Sequence, residues 1–506
     1  MFRLVPSFVY RFRFISILLI AGTAVLLFSS LRWAPKHAAY RASAGDAAYI
    51  LAVGRHHLKI DGKELAYQSS TGYLTIKDQK DQPLANIFYT AYNINSNITQ
   101  RPITFVFNGG PGSAAIWLHM GAFGPVRADN KGYTTNPNSW LDFTDLVFID
   151  PVGTGYSQAA EGVDARRFHG YRGDIHSIAQ FIKTYLAANH REASPKFLTG
   201  ESYGAVRAIG LTAYLQDSLQ IKLAGLNLIS PALNYRLVSF RKGNDKPFSY
   251  YLPTYALAAQ YHRRLSPELQ KQTPAQLIVK VAAFSNGTYA KFLKSGKSIS
   301  ADLVDTLSYF TGLNKALLKR TNGRITDSQF TKELLDNKVT GTFDSRAVGQ
   351  TNSGDPSELA IRSVFTKAFQ KYVDAELGYE NHLPYPATTA MGDWNYGPEA
   401  ADGYLDISAT LKQVLLNNPD LRVKVSSGLY DLATPVATIN YAINHLGLSQ
   451  KAKQNISVDY YHEGHMIYPG NEANAGFKKA GEQFYHQILQ KLSSIHYENK
   501  AEWPSG

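Results

Sequence analysis

The sequence predicts an α/β fold with a mainly parallel, doubly wound sheet and an inserted helical cap. Three observations carry this. Short apolar strands alternate with segments of helical period; a Gly-x-Ser-x-Gly turn stands between such a strand and such a helix; and a long helix-rich stretch interrupts the alternation before two further strands resume it.

Taken in order, the N-terminus comes first. Arg3, Arg11 and Arg13 flank the start of the apolar run Phe14 to Phe28, a pattern that marks export. Extended to Leu31, the run approaches the ~20 residues that a membrane helix needs. Ala42-Ser43-Ala44 fits a cleavage pattern. A signal peptide and an uncleaved membrane anchor both fit, with residues 1–46 as leader or tether. Either puts the body outside the cytoplasm, on the periplasmic or extracellular side. From Ala48 the chain is β-rich, with Asp61-Gly62 as a hairpin turn between Leu58-Lys59-Ile60 and Glu64 to Tyr67. Tyr73 to Ile76 and Ile87 to Tyr89 continue an antiparallel start. Ile103 to Phe107, Leu146 to Ile149, Lys196 to Thr199 and Leu226 to Ile229 read as core strands. Ile175, Ile178, Ile182 and Leu186 keep helical spacing, as does Ala205 to Leu215. These segments make residues 47–234 the first part of the core.

Between about Tyr235 and Asp393 strand signals fade. Ser266-Pro267, Thr273-Pro274 and Ser300 read as helix starts, and 235–393 is expected to be a helical cap over the site. Residues 394–506 complete the core through strands at Val423 to Ser427 and Ile456 to Tyr461, and a last helix with Phe477, Ala480, Phe484 and Ile488 on one face.

Gly200-Glu201-Ser202-Tyr203-Gly204 is the informative turn. A serine there sits on a strained elbow with its hydroxyl presented to a cleft. It needs a base and an orienting carboxylate, which in this fold type follow in the order acid, then histidine. Asp431 lies just past the Val423 to Ser427 strand, and His465 just past the Ile456 to Tyr461 strand. Ser202, Asp431 and His465 are therefore the expected triad. His462 is the competing base; His465 is preferred because Gly464 lets its loop approach the serine closely. The His-x-x-His spacing follows a strand and has no apparent third ligand, so no metal is expected. Oxyanion donors should be the Tyr203 N–H and an N–H of the loop Asn108-Gly109-Gly110-Pro111-Gly112.

These segments, with Trp140-Leu141-Asp142-Phe143 and Phe148 to Ser157, resemble the serine carboxypeptidases in family order from about Ile103 to Pro469. The resemblance implies an α/β-hydrolase, no cofactor, Gly110 and Tyr203 as oxyanion donors, and Asn108 and Glu201 as holders of a substrate's terminal carboxylate. Glu201 must then be protonated. Tyr251 to Ala256 also resembles a cap segment of the family. Four positions depart from the family pattern: Ser113, Ala205, Leu429 and Ala122. Ala122 stands where a second glutamate commonly pairs with the elbow glutamate, which leaves burial and the substrate's own charge to keep Glu201 protonated.

The 506 residues are 44 % hydrophobic, ample for a large core, and contain no cysteine, which excludes disulfide and thiolate chemistry and suggests a bacterial-type member. The net charge of +12 is dispersed without a basic-aromatic array, so no nucleic-acid partner is expected. The expected partner is a peptide with a free C-terminus, and a membrane only if the N-terminal segment stays uncleaved. Oligomeric state has no sequence signal. An esterase or acyltransferase on the same triad, and a catalytically idle peptide-binding surface protein, are the alternative readings.

Overall fold

The structure, a computed structural model, describes residues 38–41, 50–94, 100–400 and 403–501. The apolar run at Phe14 to Phe28 and the cleavage pattern at Ala42 to Ala44 lie outside them. Among the described residues no helix is long and apolar enough to cross a membrane.

Eleven strands form the central sheet. An antiparallel meander opens it: Ala38–Arg41, Ile50–Ile60, Lys63–Lys77 and Pro83–Asn93 pair in sequence order. The Asp61-Gly62 turn joins the second and third of these, and both residues take positive φ (49° and 79°), as a two-residue hairpin of matching twist requires. The fourth strand pairs antiparallel with Asp145–Ile149. From there the order is Asp145–Ile149, Ile103–Phe107, Lys196–Glu201, Gly225–Ile229, Arg422–Gly428 and Ile456–Tyr461, all parallel. Strand Gln158–Ala159 adds a short pairing to Pro83–Asn93.

Side-chain alternation explains why these strands read as continuous apolar runs. Phe105, Phe107, Val147 and Ile149 enter one core with the helices Tyr171–Ala188 and Tyr203–Asp217. Val106, Leu146 and Phe148 enter the other, with Trp140 and with Phe477, Phe484 and Ile488 of the C-terminal helix Asn471–Ala501. A sheet buried on both faces has no polar side to show.

The long insertion is helical where its N-caps are local. Ser266 Oγ accepts from Leu269 N, Ser300 Oγ accepts from Leu303 N, and Thr273 closes a reciprocal capping box with Gln276. Tyr251 to Ala256 lies buried within the helix Lys246–Tyr261. The insertion also holds a short antiparallel hairpin, Lys338–Thr340 with Val348–Gln350, that the fading strand signal did not suggest. Its helices share one apolar cluster with Leu429, Tyr430, Leu432 and Val436, the residues around Asp431. The described residues form one compact unit.

Candidate active site

Strand Lys196–Glu201 passes into helix Tyr203–Asp217 through Ser202 alone. Ser202 takes φ 59° and ψ −124°, a strained conformation that costs on the order of 1–3 kcal/mol and that the flanking strand and helix enforce. Its N–H donates to the Ile229 carbonyl at 2.9 Å. The neighbouring Ser230 Oγ donates to the His465 carbonyl at 2.7 Å. One strand end therefore ties the elbow to the histidine loop.

Asp431 is fully buried at the carboxyl end of strand Arg422–Gly428. Its Oδ1 accepts from Ala433 N (2.7 Å) and Thr434 N (3.0 Å). Its Oδ2 accepts from Thr434 Oγ1 at 2.6 Å and from His465 Nδ1 at 2.7 Å. With Nδ1 committed to Asp431, Nε2 is the nitrogen left to act as base. Burial pushes the His465 imidazole down, but the Asp431 carboxylate, with Glu201 adding to it, outweighs burial and holds it above its ordinary value. His462 is exposed, and its carbonyl, not its ring, is engaged, by Arg346 Nη1 at 2.5 Å. Among the described residues no group of three or more His, Asp or Glu side chains is arranged to hold a metal ion.

Gly464 has a different neighbour from the one expected. The space where its side chain would stand is occupied by the Phe343 carbonyl and by Asp344, both from the insertion. The segment 341–346 lies between the Asp431 loop and the His465 loop as a strap. Leu432 N donates to Thr342 O at 2.9 Å, His465 N to Phe343 O at 2.6 Å, and Ser345 N to Tyr430 O at 2.9 Å. Arg346 pairs with Asp344 at 2.7 Å and with Glu463 at 2.5 Å. The Phe343 ring sits tilted against the His465 ring, centroids 5.1 Å apart, and is 36 % exposed.

On the other side of Ser202, Glu201 is buried. Asn108 Nδ2 donates to its Oε1 at 3.0 Å, and Asn108 Oδ1 accepts from Leu118 N at 3.1 Å. Burial pushes the Glu201 carboxyl up; His465, Tyr468 and Asn108 pull against this, and Asp431 adds to the rise. The expectation that burial and substrate charge keep Glu201 protonated left out Asp431, which adds to the rise, and Tyr468, whose hydroxyl donates to Glu201 Oε2 at 2.6 Å and pulls the other way. Arg207, one turn into the elbow helix, donates from Nη1 to the Asn108 carbonyl at 2.6 Å and pairs with buried Asp174 at 2.8 Å. It holds the Asn108 to Gly112 loop against the elbow. Thr434, Arg207, Tyr468 and the strap are the site residues that sequence reasoning missed. Thr434 had the clearest signal, three residues after Asp431 in an Asp-x-x-Thr turn.

The arrangement is an imidazole oriented by a buried carboxylate, an elbow serine whose neighbouring strand end is tied to the histidine loop, and a buried carboxyl directly before that serine. A model of the serine carboxypeptidase family matches residues 60–487. The chain is 28 % identical over 146 residues to the serine carboxypeptidase-like 45 of Arabidopsis thaliana, covering 28 % of this chain and 30 % of that one. It is 28 % identical over 187 residues to the retinoid-inducible serine carboxypeptidase of Mus musculus, covering 36 % and 39 %. These matches therefore span less than half of either relative. A solved prohormone-processing carboxypeptidase of Saccharomyces cerevisiae is similar with a TM-score of 0.56 at 16 % identity, covering 83 % of this chain and 91 % of that one. At that identity the likeness is one of fold, an α/β-hydrolase fold.

Proposed function

Because the chain belongs to the serine carboxypeptidase family, we propose that it is an exported serine carboxypeptidase that removes C-terminal residues from peptides. Ser202 Oγ attacks the last peptide carbonyl carbon while His465 Nε2 takes its proton. Asp431 holds the imidazole through Nδ1 and stabilises the imidazolium. The N–H groups of Gly110 and Tyr203 receive the oxyanion. His465 then protonates the departing amine, and the acyl-enzyme on Ser202 is released by a water that His465 deprotonates. Glu201 in its protonated form and Asn108 hold the substrate's terminal carboxylate.

The observation that carries this reading is Glu201. A carboxyl buried directly before the nucleophile, tied to Asn108, would repel a carboxylate if ionised and bind it if protonated. Its upward shift favours the protonated form. We further propose that 47–234 and 394–506 are the two parts of the hydrolase core, with 235–393 as a cap; the apolar cluster shared with the Asp431 loop supports this. Export rests on the Arg-flanked apolar run.

The test pairs Ser202→Ala with matched substrates. Wild type should be labelled by a fluorophosphonate and cleave a peptide acid well ahead of its C-terminal ester or amide. Ser202→Ala should lose labelling and on the order of 10⁶ in rate. Ester cleavage without peptide cleavage would make it an esterase on the same triad; no labelling would leave a binding protein. Fractionation of cells making the full chain or a form lacking residues 1–46 tests export, which a full-length protein found in the cytoplasm would refute.

A further inference from the structure

The missing acid at Ala122 has a physical successor. The turn Gly121-Ala122-Phe123-Gly124 packs against Tyr468, so closely that a side chain at Gly121 would meet the Tyr468 ring at 2.6 Å. Tyr468 therefore stands against the segment that carries Ala122, the position where the second glutamate is missing. Arg127 bolts the two segments together: Nε donates to the Gly121 carbonyl at 3.1 Å and Nη2 to the Tyr468 carbonyl at 2.9 Å. The Tyr468 side chain is fully buried and its hydroxyl ends on Glu201 Oε2 at 2.6 Å.

We propose that Tyr468 is the positioning residue for terminal-carboxylate recognition, a neutral phenol that replaces an acid pair with an acid–phenol pair and sets when Glu201 can carry the proton that a peptide acid needs. This rests on the carboxypeptidase reading. On that reading Glu201 touches the substrate, and Tyr468 acts only through it.

The consequence differs in sign from that of a second carboxyl. Two neighbouring acids cannot both ionise, so one keeps its proton to higher pH. A phenol hydrogen bond onto a carboxylate favours the ionised form instead, so Tyr468 makes Glu201 give up its proton at lower pH than burial alone would. The other groups facing Glu201 are His465, whose positive form acts in the same direction, and Asp431, which opposes it. Asn108 donates without titrating, and Arg207 behind it is paired with Asp174. Arg127 faces the tyrosine.

The experiment is catalytic efficiency against pH for wild type, Tyr468→Phe, Glu201→Gln and the double variant, each with a peptide acid and the matched peptide ester. Fluorophosphonate labelling normalises for folded enzyme. Wild-type cleavage of the peptide acid tests the carboxypeptidase reading by itself. Given that, Tyr468→Phe should move the alkaline limb for the peptide acid upward by about one pH unit, through KM rather than kcat. The ester profile should not move on that side. In the Glu201→Gln background, where no proton is needed, Tyr468→Phe should leave the limb where it is. An alkaline limb that stays in place or moves downward in Tyr468→Phe, or that shifts equally in the Glu201→Gln background, overturns the proposal while leaving the carboxypeptidase reading intact.

Discussion

At His465 two carboxyl groups, Asp431 and Glu201, decide where one proton rests. The proposed mechanism needs neutral His465 and protonated Glu201. Moving that proton across gives ionised Glu201 and charged His465 with the same total count. The two limbs of a pH–rate profile therefore belong to the pair rather than to either residue. A substrate carboxylate next to Glu201 favours the productive distribution. The same geometry separates the two candidate bases. His465 is buried against Asp431, whereas His462 is exposed and uses only its carbonyl. His465→Ala is expected to lose on the order of 10⁶ in kcat, and His462→Ala to stay within about tenfold of wild type. Single-turnover acylation of both variants checks this, and a larger loss in His462→Ala would move the base. At this scale the sequence was legible where order and strand ends decide position, as for Ser202, Asp431 and His465. It was not legible for Tyr468, which meets a glutamate 267 residues away. Nor was it for Arg207, whose spacing on the elbow helix also suits an ordinary surface arginine. Contacts of that range leave no local pattern to read.

Among elements, the strap at 341–346 ties the insertion to the Asp431 and His465 loops. It joins the Asp431 loop to the His465 loop through backbone bonds that add to the direct ones, Leu429 N to Tyr461 O at 2.9 Å and Tyr430 N to Glu463 O at 3.0 Å, so both loops are referenced to one short segment as well as to each other. Arg346 is its anchor: burial opposes its charge, but the carboxylates of Asp344 and Glu463 outweigh burial and raise the guanidinium further. Loosening the anchor should displace His465 relative to Ser202 without removing any reacting group. Arg346→Met is therefore expected to lower kcat by about 10- to 100-fold with a smaller change in KM, and Arg346→Lys to restore part of it. Steady-state kinetics on a peptide acid reads the split; a change confined to KM would count against the strap as a positioning element. The insertion's helices announced themselves through Ser266, Thr273 and Ser300 because capping is a contact between residues three apart. The strap did not, since its partners are backbone groups of loops about 85 to 120 residues further on, and any residue can offer a backbone carbonyl; the hairpin did not because each of its strands is only three residues long.

For the molecule as a whole, two buried groups away from Ser202 add opposing slopes to how stability follows pH. Asp150 ends strand Asp145–Ile149. Its Oδ1 accepts from Ala115 N at 2.8 Å and from the Tyr385 hydroxyl at 3.2 Å, joining the segment after the oxyanion loop to the chain returning from the insertion. Burial pushes its carboxyl up to about 7, against the opposing pull of Ala115, Tyr385 and Tyr156. His119, stacked on Phe148 at 4.1 Å and sharing a hydrogen bond with the Tyr92 hydroxyl at 2.7 Å, is pushed down by burial to about 3. The signs oppose. Asp150 is protonated in the fold and ionised in the unfolded chain between its ordinary value of 3.8 and about 7, so its contribution is complete below that window and lost as pH rises through it. His119 is neutral in the fold and charged in the unfolded chain between about 3 and 6.5, so its contribution is complete above that window and lost as pH falls. Between about pH 4 and 6.5 the two slopes, each about 1.4 kcal/mol per pH unit at most, offset one another. Asp150→Asn keeps an acceptor for Ala115 N and removes only the titration. Its Tm relative to wild type is therefore expected to climb steadily from pH 4.5 to 7 and then level off. Thermal unfolding of both proteins across that range decides it: a difference in Tm that stays constant with pH would mean that Asp150 is ionised in the fold and that the joint it makes is held by charge.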